Sequence, residues 1–240
     1  MGAIINLSDF MIFAAILAGG TGTRLGKGIP KQFLKINNKP LLVYCIEPFL
    51  KVDLLDKIIV SSPKQCLKYT QKCIDEYFDD DRLVVIEGGE KRNDTILNSI
   101  DYAINNGADD NSVMTTHDGA RIFVSPKLIE DSIKYAKEYG AASPVIPATD
   151  VIFQSKVNGE LTKIPERKYL FHSQTPQSFK INEFMKIYND LDENEIELLD
   201  EAMMLFYLRD KQVYLFEGDS SNFKITRPFD IEIAKSILGD

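Results

Sequence analysis

Apolar, β-rich runs alternate with segments of helical spacing along most of this 240-residue chain. The strand-like runs cover residues 12–17, 57–61, 82–86, 112–116, 141–146 and 212–217. Residues 40–51, 63–77, 93–105 and 126–139 repeat their apolar positions at a helical period. Ile96, Ile100, Ala103 and Ile104 form one such stripe. Ser125-Pro126 combines a capping hydroxyl with a proline at the first helical position, a strong helix start. Thr226 to Pro228 opens a last helix in a comparable way, with Ile231, Ala234, Ile237 and Leu238 as its expected buried face.

Strand–helix–strand alternation implies right-handed crossovers and a mostly parallel sheet covered on both faces. The almost wholly apolar first run, Ile12 to Leu17, suits a central strand. Ligands in such sheets bind beyond the carboxyl ends of the strands, so chemistry is expected after Leu17, Ile86 and Thr116. One segment breaks the alternation. Residues 151–156 and 161–164 read as two short strands around Asn158-Gly159, either an arm for pairing with a second subunit or an ordinary surface hairpin.

Composition adds limits. With 44% hydrophobic and 27% charged residues the chain is ordinary for a globular protein, long enough for one substantial core. A net charge of −8 argues against partnership with nucleic acid or an anionic membrane. Any phosphate ligand must therefore meet a local patch of Lys and Arg. Cys45, Cys66 and Cys73 form no CxxC pair and suit reduced thiols, and two histidines, His117 and His172, leave no basis for a multi-histidine metal site. The apolar N-terminus lacks a basic segment and carries Asp9, so no signal peptide is expected and the expected compartment is cytoplasmic.

Directly after the first strand stands Gly19-Gly20-Thr21-Gly22-Thr23-Arg24-Leu25-Gly26. Glycines let backbone N–H groups close around phosphate oxygens, although a flexible turn is the plain alternative. Two common phosphate loops fail. A P-loop needs Gly where Thr21 stands and Ser or Thr where Gly28 stands. A dinucleotide fingerprint needs Gly where Leu25 stands and an acid where Ser61-Ser62 stand. The pattern G-G-x-G-x-R-x-G, followed by Pro30-Lys31-Gln32-Phe33, resembles the nucleotidyltransferases that activate sugars. Attack on an α-phosphate builds charge on its oxygens and on departing pyrophosphate. Arg24 offers a planar fork and Lys31 a mobile point charge for it.

Three later segments match the same enzymes. Gly88-Gly89-Glu90-Lys91-Arg92-Asn93-Asp94-Thr95 opens a helix after a strand and reads equally as a charged, capped turn. Thr116-His117-Asp118-Gly119-Ala120-Arg121 ends the next strand, where a His-Asp pair also suits a purely structural role. Asn222-Phe223-Lys224-Ile225-Thr226-Arg227-Pro228 precedes the last helix, where a lone Lys is ordinarily solvated. Taken in order over nearly all of residues 11–240, these segments are similar to the cytidylyltransferase family of methylerythritol-phosphate and ribitol-phosphate enzymes.

That resemblance implies an α/β fold with a Rossmann-like, mostly parallel sheet, helices on both faces and a protruding β-hairpin dimerisation arm. Residues 1–10 would be an extension, and residues 11–240 a single nucleotidyltransferase domain with its arm at about 147–170. It implies CTP as donor, Mg²⁺ as cofactor and a homodimer. Leu17, Ala18, Gly19, Gly20, Gly89, Arg92, Thr95 and Gly119 would contact the nucleotide. Arg24, Lys31 and Lys224 would be catalytic, and Asp118 would hold the Mg²⁺. Asp118, Arg121, Lys224 and, from a second subunit, Arg167 would bind the acceptor phosphate. His117 is expected to position rather than to act as a base, because a phosphate monoester nucleophile is already anionic.

The branches of the family differ in acceptor. Gln174-Thr175-Pro176-Gln177-Ser178-Phe179, preceded by Ile164-Pro165-x-Arg167-x-x-Leu170, looks more like the ribitol-phosphate enzymes. Residues 117–121 are closer to the methylerythritol branch, with Ile122 in place of its usual Pro. Leu199 stands where the family usually has a Thr that touches the acceptor. D-ribitol 5-phosphate is the favoured acceptor, giving CDP-ribitol for teichoic-acid-type cell wall synthesis. The alternative is 2-C-methyl-D-erythritol 4-phosphate of isoprenoid synthesis. A sugar-1-phosphate uridylyl- or guanylyltransferase would lack the Gly-Gly-Glu-Lys-Arg and Asn-Phe-Lys-Ile-Thr segments, and a non-catalytic nucleotide-binding module would lack the charges.

Overall fold

The computed structural model describes residues 11–19, 30–156, 159–199 and 201–239. In chain order the strands are β1 (Ile12–Leu17), β2 (Lys35–Ile36), β3 (Lys39–Pro40), β4 (Lys57–Ser62), β5 (Leu83–Glu87), β6 (Val113–Asp118), β7 (Ala141–Pro147), β8 (Gln154–Ser155), β9 (Leu161–Lys163), β10 (Phe171–Ser173), β11 (Gln177–Lys180) and β12 (Tyr214–Glu217). The helices are α1 (Leu41–Leu50), α2 (Leu67–Tyr77), α3 (Arg92–Asn105), α4 (Pro126–Tyr139), α5 (Ile181–Tyr188), α6 (Glu193–Leu198), α7 (Ala202–Leu208) and α8 (Pro228–Leu238). No helix among the described residues is long and apolar enough to cross a membrane.

β1 is central because both of its faces are apolar. Successive side chains of a strand point to opposite faces. Ile12, Ala14 and Ile16 enter one core with residues of α1, α4 and α8. Phe13 and Ala15 enter the other with residues of α3, α5 and α7. The main sheet runs β10-β7-β11-β6-β1-β4-β5, with β12 added alongside β7. Pairing is parallel for β1 with β4 and β6, for β4 with β5 and for β12 with β7. The register sets Leu17 level with Ser61 and with Asp118. The chain builds outward from β1 through β4 to β5 and then crosses back to β6, so the order reverses between β1 and β6. That reversal is where open α/β sheets bind ligands.

The expected strands and helices all form, with ends shifted by a few residues. Ser125 caps α4, accepting from the Leu128 N–H at 3.2 Å. At α8 the cap residue is Arg227, and Asp230 reaches back to the N–H groups of Thr226 and Arg227. Two expected core positions face solvent. Ile104 lies one step round the helix from the buried Ala103 and is 48% exposed; Ile237 lies off the Ile231–Ala234–Leu238 face and is 55% exposed.

The hairpin is present but shorter than expected, with Gln154 opposite Lys163 and a register shift after it. Asn158, like residues 1–10, lies outside the described residues. The arm leaves Val151, Phe153, Leu161, Ile164 and Tyr169 exposed.

Unanticipated is β11, which runs antiparallel between β6 and β7. Gln177 and Ser178 on it are fully buried, and buried polar groups need partners. The Gln177 amide nitrogen donates to Glu201 at 2.9 Å and Ser173 at 3.0 Å, and a directional hydroxyl chain serves Ser178. The Ser132 hydroxyl donates to the Pro176 carbonyl at 2.9 Å and so accepts from Ser178, which in turn accepts from Thr115. Phe179, beside it, stacks on Phe184 and touches Phe206. Phe179→Ala is expected to cost about 3–5 kcal/mol of unfolding free energy, measured by urea titration.

Candidate active site

The carboxyl ends of β1, β5 and β6 open on a cleft of ≈ 280 Å³. Leu17, Gly19, Gly89, Arg92, Thr95, Asp118, Gly119, Lys31 and Lys224 line it together. The three strand ends expected to carry chemistry therefore meet in one place. Ala18 adjoins it, with its N–H bonded to the Ser61 carbonyl at 2.9 Å. Gly20 and Arg24 lie outside the described residues.

Tight backbone packing shapes the cleft floor. A Cβ on Gly89 would sit 2.1 Å from the Asp94 Cβ and 2.9 Å from the Thr95 nitrogen. The Gly89 N–H instead donates to the Thr95 hydroxyl at 3.0 Å, drawing the loop onto the start of α3. Gly119 approaches β1 closely enough for its N–H to donate to the Leu17 carbonyl at 3.1 Å.

Asp118 is the electrostatic centre. It is 6% exposed. Its Oδ1 accepts from Arg92, and its Oδ2 meets Lys224 at 3.0 Å and Arg121 at 3.3 Å. Burial alone pushes the carboxyl up, but Arg92, Lys224 and Arg121 together overcome it and hold Asp118 well below the usual carboxylate range. These cations come from three separate segments. The Arg121 guanidinium also donates to the Asn222 carbonyl at 2.7 Å, and Ile225 N–H donates to the Ala120 carbonyl at 2.9 Å. Lys31 Nζ reaches the Ile225 carbonyl at 3.3 Å. A chain with excess acid thus gathers Lys31, Arg92, Arg121 and Lys224 close together.

His117 is buried between Thr175 and Arg121. Its Nε2 lies 2.9 Å from the Arg121 carbonyl, which only accepts, so this nitrogen carries the proton. Thr175 then donates to Nδ1 at 3.0 Å and accepts from the Asp118 N–H at 3.0 Å. Burial, only partly offset by the bond to Arg121, lowers the imidazole to about 4. The neutral ring orients the Asp118–Arg121 turn.

A second cavity of ≈ 140 Å³ shares Arg92, Asp118 and Lys224 with the first and adds Arg121, Ser173, Gln174, Thr175 and Glu201. Arg167 is exposed in the arm, where its guanidinium donates to the Thr149 carbonyl at 3.1 Å, and it lines neither cavity within this chain. Leu199 lines neither cavity: it packs against the α3-side core, and its carbonyl accepts from Asn93 at 2.7 Å. Ser173, Thr175 and Glu201 escaped notice as site residues. For Ser173 and Thr175 the signal available was the polar run Ser173-Gln174-Thr175; no local pattern marks Glu201.

The family model of 2-C-methyl-D-erythritol 4-phosphate cytidylyltransferase (IspD) matches residues 12–240. The chain belongs to this family. Members are CTP-dependent cytidylyltransferases, and this chain is an enzyme of that type. Among solved structures, the 2-C-methyl-D-erythritol 4-phosphate cytidylyltransferase of Francisella tularensis is 25% identical, covering 94% of this chain and 99% of its own, with a TM-score of 0.78. The 4-diphosphocytidyl-2C-methyl-D-erythritol synthase of Anaerococcus prevotii is 22% identical, covering 96% and 97%, with a TM-score of 0.80. The latter likeness is one of fold.

Two outcomes follow for this cytidylyltransferase. Gly89→Ala forces backbone apart and should lose roughly 1–3 kcal/mol of stability, read by chemical denaturation. His117 stays neutral when folded but takes a proton near 6.5 when unfolded. Its contribution is therefore complete above pH 6.5 and is lost as pH falls toward about 4, amounting to about 3 kcal/mol. The unfolding free energy of His117→Gln should fall less steeply than wild type across that window.

Proposed function

We propose that the enzyme transfers CMP from CTP to D-ribitol 5-phosphate, releasing pyrophosphate and CDP-ribitol. One observation carries the choice of acceptor. Every residue lining the second cavity is polar or charged: Arg92, Asp118, Arg121, Ser173, Gln174, Thr175, Glu201 and Lys224. Such a wall suits a chain of hydroxyls and offers a methyl branch little apolar contact. The segment 174–179, similar to the ribitol-phosphate enzymes, contributes two of these residues. The second reading, 2-C-methyl-D-erythritol 4-phosphate, is favoured by the family description and by the names of the solved relatives.

The reaction is an in-line displacement. A phosphate oxygen of the acceptor bonds to the α-phosphorus of CTP as the bond from that phosphorus to the bridging oxygen of pyrophosphate breaks. Lys31, with Arg24 of the glycine loop, stabilises the charge spread over the α-phosphate oxygens. Lys224 and Arg121 hold the acceptor phosphate, and Gly89, Arg92 and Thr95 hold the nucleoside end. No base and no covalent intermediate is required; positioning and electrostatics carry the rate.

Among the described residues no group of three or more His, Cys, Asp or Glu forms a metal cage. One buried carboxylate, Asp118, still fits Mg²⁺, which takes one or two carboxylates and completes its shell with water and phosphate oxygens. Asp118 would hold it, and when bound it would neutralise the nucleotide phosphates. The exposed apolar arm supports a homodimer in which Arg167 of one subunit reaches the acceptor cavity of the other.

Pyrophosphate release should require CTP, Mg²⁺ and an acceptor, with ribitol 5-phosphate turned over at least tenfold more efficiently than 2-C-methyl-D-erythritol 4-phosphate. The reverse ranking would reassign the acceptor. Lys31→Ala should lower kcat by ~10²–10³; full activity in that variant would refute the mechanism.

A further inference from the structure

We infer that Glu201 is a specificity-determining residue that accepts hydrogen bonds from the hydroxyls of the acceptor. The inference rests on the polyol-phosphate reading above.

The cavity that holds the acceptor contains two carboxylates, and their surroundings differ. Asp118 is surrounded by Arg92, Arg121 and Lys224. Glu201 lines the same cavity without an ion pair to any of them among the described residues. Its Oε2 is held from the protein side, accepting from Gln177 Nε2 at 2.9 Å and from the Ser173 hydroxyl at 3.3 Å. Gln177 is completely buried, so the anchor is rigid. Oε1 accepts no hydrogen bond from the described residues.

A carboxylate fixed by one oxygen and open at the other is an acceptor without a donor. Phosphate has no proton to give it at neutral pH and is repelled. A hydroxyl has one, and hydrogen bonds to charged groups are among the stronger ones. Glu201 therefore reads the uncharged end of the acceptor while the cations take its phosphate. Substrates that lack the matching hydroxyl leave the carboxylate desolvated and unpaired, which is how polar sites discriminate strongly.

The test is steady-state kinetics of wild type, Glu201→Gln and Glu201→Asp, with ribitol 5-phosphate, 2-C-methyl-D-erythritol 4-phosphate and singly deoxygenated ribitol 5-phosphates as acceptors. For the acceptor that wild type prefers, both variants should lose roughly 10–100-fold in kcat/KM, with the KM for CTP unchanged. Against the deoxy analogue missing the contacted hydroxyl, wild type and variants should converge, because the partner is already gone. Glu201→Asp keeps the charge and guards against misfolding of the neutral variant. A loss of equal size on every analogue, or a matching rise in the KM for CTP, overturns the inference and leaves Glu201 a merely structural brace for Gln177. Normal kinetics in the variants overturns it too. If wild type turns over no polyol phosphate, the functional reading falls with it, and that outcome is visible before any variant is measured.

Discussion

The site depends on one buried carboxylate. Without Asp118, Arg92, Arg121 and Lys224 would be three like charges in a partly desolvated space, and their mutual repulsion would spread them apart. With it, they converge from α3, from the turn after β6 and from the segment before α8. Burying an ion costs several kcal/mol, and three cationic partners are what make it tolerable here. The same residue ties the turn to its neighbours through its backbone, since its N–H donates to Thr175, which donates onward to His117.

The free enzyme thus keeps its cations gathered around an anion of its own. On the reading proposed above, a polyphosphate that enters meets a cluster already assembled instead of gathering scattered side chains. Preorganised charge of this kind is what phosphoryl-type transfers rely upon, since the protein supplies little covalent chemistry. The position of the cluster is equally constrained: it sits where strand order reverses between β1 and β6, the one opening that a parallel sheet leaves between its crossover helices.

Much of this was legible in the residues. β1 announced itself by an unbroken apolar run, α4 by Ser125-Pro126, and the cleft by glycines and cations after successive strands. β11 was not legible, because a strand buried on both faces here carries Gln177, whose amide reaches Ser173 and Glu201, and Ser178, whose partners lie on β6 and α4, all invisible to local periodicity. The short helices α5 to α7 fell below the length at which a helical period separates from chance. Ile104 and Ile237 show the opposite error: an apolar residue next to a buried stripe is not in it. At the site, Asp118 and Lys224 stood out within motifs, whereas Glu201 matters only through a cavity assembled by folding.

The cavity assigned above to the acceptor has two walls of different character. One is the segment between β10 and β11, where buried Gln174 donates to the Asp219 carbonyl and buried Thr175 accepts from the Asp118 N–H. The other is Glu201 at the approach to α7, partly exposed and held through one carboxylate oxygen. Change at Gln174 or Thr175 disturbs buried partners, whereas Glu201 Oε1 meets no donor among the described residues. On the reading proposed above, substrate choice on this scaffold is open to change at that second flank, leaving the phosphate chemistry untouched while the tail of the acceptor is renegotiated.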